Sequence, residues 1–117
     1  MQRYELEAWL GPALDDLTSE QVDRLHEAVE AVDQRWSDPD DRPERDAASV
    51  AALQHIEGTV QLRERGAALE RARTAERAAV VASRQSALMA VRDGMSESQA
   101  ARDAGLDRMT VRRMLGK

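Results

Sequence analysis

The residues with the most obvious chemical capacity lie near one end of the sequence, where Arg108, Met109, Thr110, Arg112, Arg113 and Lys117 fall within ten positions. A guanidinium is a permanently charged, planar donor suited to anionic oxygens and paired acceptors. The surrounding charge points the same way. Residues 63–117 hold eleven Arg, one Lys and seven acids, a charge of +5, whereas residues 1–62 hold five Arg and fifteen acids, a charge of −10. The net charge of −5 for all 117 residues therefore hides a basic half that can meet a polyanion at one end of an acidic chain.

Other constellations carry less chemistry. His26 and His55 have Glu27 and Glu57 nearby, but a metal site needs three or four converging ligands and the pattern supplies no such set. The run Asp38-Pro39-Asp40-Asp41 lacks the Gly and the closing Glu of a calcium loop and reads as a solvated turn. Cys is absent, which removes disulfide scaffolds, zinc ribbons and thiol catalysis and fits a reducing cytoplasm. There is no nucleophile elbow, phosphate loop or plausible triad. No enzymatic activity, cofactor or metal is expected. No apolar run approaches the roughly 20 residues that span a bilayer, so no membrane association is expected either.

The elements that must position these residues are helical. Aromatics are only 3% of the chain, with no Phe, while Ala, Leu, Glu and Arg are abundant, and 33% of residues are charged. Residues 3–10 predict two helical turns stopped by Gly11-Pro12. Thr18 with Gln21 predicts a capping box, from which Val22, Leu25, Val29, Val32 and Trp36 recur at three-four spacing as a narrow seam. Ser37–Pro43 ends that helix. Ser49, Leu53, Ile56 and Val60 repeat the rhythm, predicting an antiparallel helical hairpin. With no Pro after Pro43, a helical pattern extends from about Glu44 to Asp93, a rod of ~75 Å unless it breaks at Gly58 or Gly66. Along it, Glu64, Glu70 and Glu76 are spaced for ion pairs such as Glu70 with Arg73. Three regions result: an acidic hairpin at 1–62 for oligomerisation or docking, a connecting helix at 63–83, and a terminal domain at 84–117.

The last region, RQSALMAVRDGMSESQAARDAGLDRMTVRRMLGK, resembles the tri-helical helix-turn-helix found at the end of resolvases and invertases and in many small bacterial regulators. The resemblance covers 34 of 117 residues and none of residues 1–83. It rests on Ala87-Leu88 in a first helix, Gly94 and Ser96 at a first corner, Ala100-Ala101 in a second helix, Gly105-Leu106 in a tight turn, and Thr110-Val111, Met114 and Leu115 in a third. Ser96 is placed to cap the second helix with Gln99 completing a capping box, and Asp107 to cap the third. The resemblance implies that Met109, Thr110, Arg112 and Arg113 face the major groove, flanked by Arg108 and supported by Ser96 and Lys117. Arg pairs with guanine O6 and N7, Thr reaches a base edge or phosphate, and Met meets a thymine methyl.

The expectation is a sequence-specific double-stranded DNA-binding protein, a small bacterial or phage transcriptional regulator acting as a homodimer. A second copy would cover Leu69, Ala72, Ala75, Ala79, Val80 and Ala82 on the connecting helix, and Trp36 would be buried at the end of the seam. Two alternatives stand beside it. A break near Gly66 would fold the second half back into a compact monomeric bundle. A helical adaptor would dock on protein partners through the acidic hairpin and carry a vestigial helix-turn-helix.

Overall fold

In the computed structural model, which describes residues 1–117, the chain forms six α-helices and no strand. They are α1 (Arg3–Leu10), α2 (Ser19–Arg35), α3 (Arg42–Glu57), α4 (Leu62–Arg92), α5 (Glu97–Ala104) and α6 (Arg108–Met114). Short 3-10 turns at Gly11–Asp16 and Pro39–Asp41 follow α1 and precede α3. The all-α class is as the composition requires. Packing divides the residues into two compact units, Met1–Arg65 and Gly66–Lys117.

In the first unit, α2 starts where the capping box places it. The Gln21 amide donates to Thr18 Oγ1 at 3.1 Å, and the Thr18 amide donates to Gln21 Oε1 at 2.8 Å. The seam residues Val22, Leu25, Val29 and Val32 are buried. Their cover comes from within the chain: Leu6 and Leu10 of α1 complete the core cluster with Val22, Leu25 and Val29, and Leu14, Leu17, Ala52, Leu53 and Ile56 pack around it. The contribution of α1 was not legible in its sequence, where Leu6 and Leu10 are two apolar positions in a short charged helix. Fully burying side chains such as Leu6, Leu25 and Val29 contributes about 1.5–3 kcal/mol each. No second copy is needed to cover this seam.

Trp36 departs from expectation. It is only half-buried, because α2 ends at Arg35 and Trp36 turns off the helical path with φ −116° and ψ 70°. It carries the Arg35 guanidinium 5.4 Å from its ring centre, and its carbonyl accepts a 2.7 Å hydrogen bond from Arg45. Arg45 also donates to the Asp38 carbonyl at 2.7 Å, and Asp38 Oδ1 accepts from the Asp40 amide at 2.9 Å. The acidic run is thus a self-capped turn fastened by one arginine.

The ~75 Å rod does not form. The helix breaks at Gly58, leaving helices of 16 and 31 residues, and runs unbroken through Gly66. Gly58 is left-handed, with φ 72°. Its amide donates to the His55 carbonyl, and the Thr59 amide reaches the Gln54 carbonyl at 3.1 Å, a Schellman end. The β-branched Thr59 and Val60 follow, which discourages resumption of the helix, whereas Gly66 is flanked by strong helix formers. Val60, read as a seam residue, consequently lies between helices. The expected ion pairs of Glu64, Glu70 and Glu76 are absent, since every salt bridge in the chain lies elsewhere. Leu62, Leu69 and Val81 of α4 are exposed.

Candidate functional site

The second unit is built around very small side chains. Ala87 of α4, Ala100 and Ala101 of α5 and Val111 of α6 form its buried cluster, joined at the edge by Val91, Ala104, Leu106 and Leu115. Alanines at the crossings let backbones approach closely enough for Val111 to reach the middle of the cluster, where it is 1% exposed. A hydrogen bond from Ser83 Oγ to the Ala104 carbonyl, 2.5 Å long, ties α4 to the end of α5.

The corners follow from capping chemistry. Gly94 ends α4 and Gly105 ends α5, both left-handed. At each, the next residue bonds back across the turn: the Met95 amide to the Ala90 carbonyl at 3.0 Å, and the Leu106 amide to the Ala101 carbonyl at 2.9 Å. Ser96 caps α5, its Oγ accepting from the Gln99 amide at 3.1 Å. The expected return bond from Gln99 is not made. Its side chain instead donates to Asp103 Oδ1 at 2.6 Å and accepts from Arg102 at 2.8 Å, partners one helical turn away on its own face. Asp107 caps α6 as expected, with Oδ1 accepting from the Thr110 amide at 2.7 Å and Oδ2 from the Thr110 hydroxyl at 3.0 Å. These two bonds hold the Asp107 carboxyl below the usual carboxylate range, so it is ionised at neutral pH.

The residues singled out in the sequence are thereby sorted. Arg108, Met109 and Arg113 are exposed, and neither arginine has an intrachain hydrogen-bond or ion-pair partner. Thr110 spends its hydroxyl on Asp107, and Ser96 spends its own on the α5 cap. Arg112 and Lys117 both reach Glu97. Glu97 was missed from sequence because it lies 15 and 20 residues from its partners, beyond any helical spacing rule. Val111 and Leu115 face inward, while Met114 is half-buried outside the cluster.

The remaining candidates hold no comparable set. His26 Nε2 lies 2.9 Å from the Met1 carbonyl and 3.4 Å from Glu30, and His55 is an exposed residue of the last turn of α3. No three His, Asp or Glu side chains converge as metal ligands. A groove of about 360 Å³ between α4 and α5 is lined by Ala and Ser side chains and Met95, with Asp103 its one charged group. No helix is long and apolar enough to cross a membrane. Comparison with protein-family models, with curated proteins and with solved structures returns no match to this chain.

Proposed function

We propose that this chain binds double-stranded DNA through residues 84–117, arranged as a helix-turn-helix in which α6 enters the major groove. The observation that carries the reading is the division of α6. Val111 is anchored in an alanine-lined core, while Arg108, Met109 and Arg113 stand exposed and the two arginines are unpaired. An anchored short helix fixes where its exposed arginines leave the backbone, as a helix entering a groove requires. The Asp107 cap secures the end of α6 from which Arg108 projects. The proposed role is a small bacterial or phage transcriptional regulator, with two copies joined along the exposed Leu69, Ala72, Ala75 and Ala79 of α4 so that two modest half-sites act together.

The test is fluorescence anisotropy with a random duplex at low salt, followed by selection of bound genomic fragments. Arg108, Arg112 and Arg113 replaced together by Ala should leave the chain folded and helical by circular dichroism and abolish binding. Unchanged affinity in that folded variant would refute the assignment. Ala101→Leu should abolish binding by another route, since three added carbons in a packed helix crossing cost about 1–3 kcal/mol and push α5 from α6.

The adaptor reading is favoured by one observation: Tyr4 and Trp9 of α1 are 72% and 42% exposed on the acidic unit, and aromatic side chains are frequent anchors of protein interfaces. A docking module of that kind would show no salt-dependent affinity for random duplex.

A further inference from the structure

Glu97, in the first turn of α5, is closed in by two cations from the far end of α6. Its Oε2 accepts from Arg112 Nη1 at 3.1 Å and its Oε1 from Lys117 Nζ at 2.5 Å. The two cations are brought together by the turn that ends α6. Gly116 is left-handed at φ 80°, and the Lys117 amide bonds back to the Arg112 carbonyl at 3.0 Å, folding Lys117 over Arg112. The Glu97 side chain is only 14% exposed, while those of Arg112 and Lys117 remain 38% and 52% exposed. Each oxygen of one anion thus serves one cation, the arrangement that two oxygens of a phosphate would adopt between the same groups.

We propose that Arg112 and Lys117 form a two-cation phosphate site occupied by the Glu97 carboxylate, which withholds both cations from the DNA backbone and limits binding to duplex irrespective of sequence. The inference rests on the DNA-binding reading above. Lys117 first, and Arg112 second, hold the Glu97 carboxyl below the usual range, so its charge persists throughout neutral pH. Residues 94–117 carry five basic and three acidic side chains, and Glu97 occupies two of those five. Arg102, Arg108 and Arg113 are left to attract the backbone. A regulator gains by this arrangement, because binding to random sequence competes with its operator across the whole genome.

The experiment compares the full-length wild type with Glu97→Gln on a random 24-base-pair duplex across 50–200 mM salt. Two released cations steepen the log–log salt slope by up to about 1.8, so Glu97→Gln should lose about twelvefold more affinity over that range than the wild type and bind more tightly at its low end. The gain should vanish in Glu97→Gln/Arg112→Gln/Lys117→Gln. Equal slopes for the wild type and a folded Glu97→Gln would overturn the proposal. Should Glu97→Gln fail to fold, the triple variant decides alone: with the carboxylate and both cations removed together, affinity for random duplex should change less than twofold from the wild type, and a loss as large as that of Arg113→Ala would overturn it. Indifference of the wild type and Glu97→Gln alike to duplex would defeat the DNA-binding reading itself. Inorganic phosphate followed by phosphorus-31 line width then tests the site alone, with broadening by Glu97→Gln but not wild type supporting it, and no difference overturning it.

Discussion

Gly58 and Gly66 look interchangeable in the sequence and are opposites in the structure, so the same substitution should move stability in opposite directions. Gly66 lies inside α4 without a positive φ, and a Cβ added there meets nothing within 4 Å. Gly66→Ala should stabilise the helix by about 1 kcal/mol, the propensity difference between the two residues. Gly58 also has open space around it, but its φ is +72°. An L-residue in that conformation costs roughly 1–2 kcal/mol, offset by about 0.4–1 kcal/mol of lost freedom in the unfolded chain. Gly58→Ala should therefore destabilise the first unit by about 1 kcal/mol, or roughly 4–8 °C for a domain of this size. Both tryptophans, Trp9 and Trp36, belong to that unit, so tryptophan fluorescence during urea and thermal unfolding reports it selectively. Slower amide exchange at residues 67–70 reads the Gly66 effect. A destabilising Gly66→Ala together with a neutral Gly58→Ala would refute the reasoning and move the break to Gly66.

Leu25→Ala should cost about 2–5 kcal/mol in urea unfolding followed by tryptophan fluorescence, because Leu25 is wholly buried in the first unit's core. Leu69→Ala should change stability by no more than about 0.5 kcal/mol at dilutions where the chain is monomeric, since Leu69 is half exposed, and should weaken any concentration-dependent dimer seen by analytical ultracentrifugation. Asp107 titrates below its ordinary value in the folded chain, so its stabilising contribution is fully present above the unfolded carboxylate range near about 4 and is lost as pH falls through the lower folded value. The melting temperature of the second unit should accordingly fall between about pH 5 and pH 2, with Glu97 contributing to the same fall, and Asp107→Asn should flatten that part of the profile only in part.

Much of the chain was legible locally. Poverty in aromatics and wealth in Ala, Leu, Glu and Arg determine the helical class, because propensity acts residue by residue. Thr18, Ser96 and Asp107 mark the starts of α2, α5 and α6, and Gly105 marks the end of α5, because caps and left-handed ends are settled by residues within a few positions of one another. The burial of Val22, Leu25, Val29 and Val32 followed from spacing alone.

What tertiary structure decided were the partners of those elements. The sequence presents the α2 seam as apolar but does not say that Leu6 and Leu10 cover it, since any apolar face of matching shape would serve. It offers Gly58 and Gly66 as equal breaks, and the Schellman bonds at Gly58 separate them. It shows five basic residues in 94–117 as one set, and only the folded chain divides them by placing Glu97 against Arg112 and Lys117 across 15 and 20 residues. Ion pairs of that separation depend on how two helices cross, and the crossing is set by the bulk of Ala100, Ala101 and Val111 packed together rather than by any pattern of charge along the chain.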